Sequence, residues 1–155
     1  MTKSIPLTQG KFAIVDDEDY EYLTQWNWQY RGGYAARSVR KAGEKRKSIF
    51  MHRVINETPS DMQTDHIDQN KLNNSRGNLR SCSIGENGRN RKLQINNKSG
   101  FRGVYSNKNK WYASIGINGK RIYLGTFQNK IDAAIKYNEQ AKIEYGEFAV
   151  LNSYG

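Results

Sequence analysis

The chain has 155 residues, 36% of them hydrophobic and 12% aromatic, with a formal net charge of +10, which suits one domain or a few small modules built around modest cores. No apolar run approaches the ~20 residues of a membrane-spanning helix, the opening MTKSIPLTQGKF lacks the apolar core of a signal peptide, and one cysteine, Cys82, excludes an internal disulfide framework or a thiolate zinc cluster. A soluble intracellular protein with no membrane partner is expected, and the basic residues interleaved with aromatics make nucleic acid the first partner to test.

By residue count, segments 1–50, 51–95 and 96–155 carry +3, +2 and +5, so the positive charge is spread along the chain. In the first segment, FAIVDDEDYEYLTQWNWQY places an acidic stretch where the positive end of a short helix would accept it. Trp26 and Trp28 then alternate as on a strand face, in a core role. Gly32-Gly33 separates two strand-like runs, and YAARSVRKAGEKRKSIFM reads as a hairpin turning near Ala42-Gly43. Its Arg37, Arg40, Lys45, Arg46 and Lys47 suit either a phosphate backbone or a charged, solvated edge strand. HRVINE is helix-like and is stopped by Pro59. Ser83 and Glu86 have the spacing of a capping box, so a helix is expected from Ile84, with Asn87 in its first turns. LQINNKS, residues 93–99, has neither clear periodicity nor much apolar content and reads as a linker.

The last segment has the clearest pattern. GFRGVYS, KWYASIGI and KRIYLGTF are β-rich, and Asn118-Gly119 is a strong two-residue hairpin signal, so a three-stranded antiparallel meander is expected. Strand alternation turns Ala113, Ile115, Ile122 and Leu124 to one face and Tyr112, Ser114, Arg121 and Tyr123 to the other. NKIDAAIKYNEQAKIEYG then reads as an amphipathic helix, with Ala134, Tyr137 or Asn138, Ala141 and Tyr145 on one face and Gly146 at its end.

The chemistry concentrates in QTDHIDQNKLNNSRGNLRSC and the helix after it, which would bring Asp65, His66, Asn78 and Asn87 together. An imidazole titrating near neutrality makes His66 a candidate general base. Asn78 could orient one of its ring nitrogens. Asp65 and the Asn87 carbonyl are hard oxygen ligands, which favour magnesium or manganese over zinc. With one carboxylate, the ion would depend on a substrate phosphate to complete its shell, a site suited to phosphodiester cleavage. Asn70, Asn73 and Asn74 are expected to bond the backbone of an irregular loop. His52 reads as a packing or capping residue.

TDHIDQNKLNNSRGNLR resembles the ββα-metal motif of HNH homing endonucleases, in the phage-type form D-H-x-[DN]-G-N-x-x-x-N-x-x-x-N-L-R. Asp65, His66, Asn70, Asn74, Asn78, Leu79 and Arg80 match. The resemblance implies one divalent metal on Asp65 and Asn87, water activation by His66 and positioning of His66 by Asn78. Gln69 stands where the motif usually has glycine; a turn needing positive φ there would strain it.

FRGVY, KWYASI, YLGTF and DAAIKYNEQA are similar to the ethylene-response-factor DNA-binding domain of plants, also found fused to phage HNH nucleases, whose sheet enters the major groove. The resemblance implies DNA contacts from Arg102, Arg121 and Tyr123. Tyr112, with Arg89, Arg91 and Lys92 of the basic run GRNRK, completes the candidate DNA-binding set. Tyr105 and Asn107 replace arginines of the plant domains, so plant target specificity does not carry over.

These readings give an α+β chain: a β-rich N-terminal region (1–50), an HNH nuclease core (51–92), a linker (93–99) and a DNA-binding domain (100–155) with a three-stranded sheet packed on one helix. The expected activity is magnesium- or manganese-dependent nicking or cutting of double-stranded DNA by a monomeric homing endonuclease in the cytoplasm of a bacterium or phage-infected host. A DNA-binding regulator with an inactive nuclease motif, and an RNA-binding protein that stacks bases on its aromatics, are the alternatives.

Overall fold

A computed structural model describes residues 1–40, 42–91 and 93–154. Its fold is α+β, divided into two compact units, Met1–Asn87 and Gly88–Gly155. Among the described residues no helix is long and apolar enough to cross a membrane.

The first unit begins with an antiparallel hairpin, β1 (Thr2–Pro6) and β2 (Phe12–Asp16). Helix α1 (Asp17–Thr24) follows at once, with Asp17, Glu18 and Asp19 in its first turn, where the exposed amides favour negative charge. A three-stranded antiparallel sheet comes next: β3 (Gln29–Arg31), β4 (Tyr34–Val39) and β5 (Lys47–Phe50), in that order. Gly32 and Gly33, both at positive φ, turn β3 into β4. Trp26 and Trp28 lie just before β3 instead of on a strand. Trp28 is a core residue whose indole Nε1 donates to the Leu23 carbonyl at 2.8 Å. The Arg37 guanidinium lies 4.4 Å from the Trp26 ring centroid, a cation–π contact that gives this arginine an intramolecular role the sequence did not suggest.

Helix α2 (Met51–Ile55) leads to the hairpin β6 (Gln63–His66) and β7 (Leu79–Cys82), then to α3 (Ile84–Arg89). The capping box forms as expected: Ser83 N donates to Glu86 Oε2 at 2.8 Å and Glu86 N to Ser83 Oγ at 3.3 Å. One apolar core joins Ile5, Val15, Leu23 and Trp28 to Met51, Ile55 and Leu79. The segment before residue 51 and the segment after it therefore share an interior.

The second unit contains β8 (Val104–Asn107), β9 (Lys110–Ile117) and β10 (Lys120–Phe127), an antiparallel sheet with β9 central, and α4 (Lys130–Tyr145) packed chiefly on β9. Asn118 and Gly119 both have positive φ, as the tight β9–β10 hairpin requires. Asn129 caps α4 by accepting from Asp132 N at 2.9 Å. Buried Ala113, Ala133, Ala134 and Ala141 let helix and sheet approach closely. Gly103 is needed at that contact: a Cβ there would stand 2.1 Å from Tyr137 Cδ2 and 2.5 Å from the Ser114 carbonyl oxygen.

Two residues keep their expected faces, each opposite its partner on the neighbouring strand, but differ in how far they are buried. Ile122 pairs with Ile115, but it lies on the edge strand β10 and is 42% exposed. Ser114 is 7% exposed because it sits on the central strand, in a cleft of about 710 Å³ that it shares with Arg121, Tyr105 and residues of the 93–99 segment. Leu124 is the extra residue of a bulge between Tyr123 and Gly125 and packs into the core.

Candidate active site and nucleic-acid face

The β6–β7 pairing sets Asp65 opposite Arg80 and His66 opposite Leu79. Asp65 is 5% exposed, and its Oδ2 accepts from Arg80 Nε at 3.0 Å and Nη2 at 2.8 Å. That buried carboxylate is thereby compensated by a guanidinium. Asn87 is fixed by its place in the first turns of α3, where its backbone N donates to the Ser83 carbonyl at 3.0 Å. Its side-chain Nδ2 donates to Gln63 Oε1 at 2.5 Å. Gln63 and Asp65 are two apart on β6 and share a strand face. Strand β6 and helix α3 thus converge through the Gln63–Asn87 contact.

His66 closes β6. It is 5% exposed, with Nε2 3.2 Å from Asn74 Oδ1. Its ring packs edge-on against His52, with centroids 5.1 Å apart, and against Tyr34 at 6.1 Å. Lys71 Nζ lies 4.4 Å from the Tyr34 centroid. Burial pushes the His66 pKa below its usual value, although the Asn74 hydrogen bond opposes the shift, so the ring is held neutral. His52 is pushed down to about 3, first by burial and then by His66 and Arg53. Its Nδ1 is buried without a hydrogen-bond partner among the described residues.

The loop between β6 and β7 is shaped by its own amides. Asp68 Oδ1 accepts from Asn70 N at 2.8 Å and from Asn78 Nδ2 at 2.9 Å, while Oδ2 accepts from Asn73 Nδ2 at 2.8 Å. Asn78 Oδ1 accepts from Asp68 N at 3.0 Å, and Asn78 Nδ2 also donates to the Asn73 carbonyl at 2.8 Å. Burial alone would raise the Asp68 pKa, but these bonds to its charged form outweigh it and the net shift is downward. The Asn78 side chain thus builds the loop, and the Asn74 amide hydrogen-bonds the His66 ring. Gln69 has φ 64°, the left-handed conformation anticipated at that position, and its N donates to the His66 carbonyl at 2.9 Å.

The N-terminal hairpin and α1 carry this loop. Ile14 N donates to the Leu72 carbonyl at 2.8 Å and Asn74 N to the Ile14 carbonyl at 2.7 Å. Arg76 N donates to Asp16 Oδ2 at 2.7 Å, and its guanidinium pairs with Asp19 Oδ1 at 2.6 Å and Glu18 Oε1 at 2.9 Å. Asn74, His52, Tyr34 and Lys71 were not legible as neighbours of His66. Only the adjacency of two histidines in an aromatic setting, visible once β4 and α2 are placed, brings them to notice.

The residues fit a hard divalent cation by the chemistry of their donors. Asp65 offers a carboxylate, and the Asn87–Gln63 bond engages the amide nitrogen of Asn87, leaving its carbonyl oxygen as the donor atom. A cation there would share Asp65 with Arg80.

Within the second unit, Tyr105 and Tyr112 stack with centroids 5.4 Å apart and planes 14° apart, and Tyr123 lies 6.3 Å from Tyr112. Arg121 is exposed on the same sheet, and Tyr123 is 57% exposed. Arg102 is engaged internally: its guanidinium donates to the carbonyls of Arg89 at 3.4 Å and Arg91 at 2.5 Å. The Arg89 guanidinium lies 4.4 Å from the Tyr145 ring centroid. Arg91 is exposed, and Lys92 lies outside the described residues.

An uncharacterized HNH endonuclease of Acanthamoeba polyphaga mimivirus is 31% identical over 145 residues, covering 93% of this chain and 76% of the viral protein. Two Arabidopsis thaliana proteins, dehydration-responsive element-binding proteins 2C and 2A, are 36% and 37% identical over 80 and 81 residues, half of this chain. The chain spans less than a quarter of either plant protein, 22% and 23%. No family model and no solved structure matches it.

Proposed function

Because the chain belongs to the HNH endonuclease family, we propose that it is a metal-dependent nuclease that hydrolyses phosphodiester bonds in double-stranded DNA, with His66 as general base. The observation that carries this reading is the set of contacts around β6: buried Asp65 and His66 side by side, and Asn87 of α3 bonded to the same strand through Gln63.

His66 takes a proton from water, whose oxygen attacks phosphorus while the 3′ oxygen departs. Products with a 5′ phosphate and a 3′ hydroxyl follow. Asp65 and Asn87 would hold one magnesium or manganese ion, which when bound stabilises charge developing on the phosphate and leaving oxygen. Burial keeps the His66 ring neutral and able to accept a proton. Asp68 and Asn78 hold the loop that leaves β6. Arg121, Tyr112 and Tyr123 on the second unit's sheet supply DNA affinity, with Arg91 and Lys92 adding cationic contacts. Arg89 and Arg102, engaged within the unit, support that face. One active centre per chain makes nicking by a monomer the simplest outcome, and a homing role is part of the proposal.

Fragmented genomic DNA from the source, incubated with the full chain and magnesium and then end-mapped, tests this reading. Ends at discrete positions that vanish in excess EDTA are expected. Undiminished cleavage in EDTA would contradict the metal, and no cleavage with either magnesium or manganese would favour a binding protein with an inactive motif.

A further inference from the structure

We propose that Asn74 is the positioning residue of His66: it holds the ring with a hydrogen on Nε2 and so leaves Nδ1 as the nitrogen that accepts the proton from water. The tautomer is argued from geometry, while its catalytic use rests on the nuclease reading above.

Asn74 is fully buried, with Oδ1 3.2 Å from His66 Nε2 and Nδ2 3.2 Å from the Leu72 carbonyl, to which it donates. Flipping the amide would set its oxygen against that carbonyl oxygen, two acceptors facing each other. Leu72 therefore decides which end of Asn74 meets the ring. An amide oxygen can only accept, so the facing Nε2 must carry the hydrogen. A neutral imidazole has one N–H, and its basic lone pair then belongs to Nδ1.

The amide is itself held in place. Asn74 N donates to the Ile14 carbonyl at 2.7 Å and Ile14 N to the Leu72 carbonyl at 2.8 Å, so β2 fixes both the residue that orients the ring and the carbonyl that orients the amide. His52 and Tyr34 flank the ring. These contacts give the N-terminal hairpin a part in the chemistry, although it supplies no reacting group.

The contact also discriminates between states. When Nδ1 takes the proton, the water oxygen forms its bond to phosphorus, the bond from phosphorus to the 3′ oxygen breaks, and that oxygen is protonated by solvent. His66 is then an imidazolium, and its Nε2–H bond to Asn74 becomes charge-assisted and stronger than in the neutral ring. The amide thus stabilises the state reached on proton transfer more than the state before it.

A long-range proton–nitrogen NMR spectrum of the full chain, labelled on histidine and recorded where His66 is neutral, reads the tautomer without substrate or metal. His66 should carry its hydrogen on Nε2. Asn74→Leu should give a mixture of tautomers and lower single-turnover cleavage by roughly 10- to 100-fold, the range for loss of a supporting partner, with duplex affinity in calcium unchanged. Asn74→Asp presents an acceptor to the ring whichever way its carboxylate turns and should keep the Nε2–H form, at a cost in stability from the oxygen it sets against the Leu72 carbonyl. A parent ring protonated on Nδ1, or an Asn74→Leu chain that keeps both the pure Nε2–H form and the parental rate, overturns the proposal. Should Asn74→Leu not fold, the parent and Asn74→Asp spectra still decide it. An Nε2–H ring in a chain that cleaves no DNA would support the tautomer and count against the nuclease reading alone.

Discussion

Helix α4 is held to its sheet by Ala113, Ala133, Ala134 and Ala141, all fully buried, whereas the loop between β6 and β7 is held by Asp68, Asn70, Asn73 and Asn78 bonding one another and the backbone. Small apolar side chains give the second unit close contact at low side-chain entropy cost. Amides give the loop direction, because each bond fixes a donor against an acceptor. The contrast suggests that the second unit tolerates polar change on its surface but no added atom at the helix–sheet contact. The loop should tolerate added volume at its rim but no lost amide.

The largest effect expected is at that contact. Gly103→Ala places a methyl group 2.1 Å from Tyr137 Cδ2 on a residue with φ +70°, and overpacking with left-handed strain should cost roughly 2–5 kcal/mol. Thermal unfolding of the full chain should lose stability in the second unit. An unchanged melting profile would mean that the helix and sheet are not so closely packed.

Asn78→Ala tests the other side. It removes the bonds to Asp68 and the Asn73 carbonyl, and because Asp68 is exposed and Asn73 half-buried, water can replace the lost partner and the cost should be roughly 0.5–1.5 kcal/mol, the net worth of a typical hydrogen bond. The pH dependence carries a sign. Asp68 is held below its usual pKa, so its contribution is complete above the unfolded-state value and is lost as pH falls through the lowered folded value. The variant should lose less stability over that acidic window than the parent. Parallel denaturant curves at neutral and acidic pH measure the difference.

Arg121→Ala should leave folding unchanged and weaken DNA binding. The loss is ~1–3 kcal/mol at one base pair if the contact is to guanine, or about one counterion in the salt dependence if it is to phosphate. Binding equal to the parent at every salt concentration would remove Arg121 from the DNA face. The smallest effect expected is a gain: Gln69→Gly relieves φ 64° and should stabilise the first unit by ~1 kcal/mol, unless the glycine loosens the unfolded chain by as much.

The second unit was largely legible because its information is local. Strand alternation, Asn118-Gly119 and the helical period ended by Gly146 each specify a structure from a few neighbouring residues, and the meander, the tight hairpin and the helix are all found. Ile122 and Ser114 escaped because burial depends on what covers a face, which alternation does not encode. In the first unit the Asp-His pair, the capping box and the left-handed turn at Gln69 were visible. The residue against the ring was not: Asn73, Asn74 and Asn78 are chemically identical, and only the pairing of Ile14 with the loop selects Asn74.

The central claim is that chemistry resides at His66 and binding elsewhere. The most direct measurement compares parent and His66→Ala on the same duplex, with single-turnover cleavage in magnesium at saturating protein and affinity in calcium. The variant should cleave ~10²- to 10⁴-fold more slowly, the range for loss of a general base, and bind within error of the parent. Cleavage at the parental rate would contradict the assignment of His66.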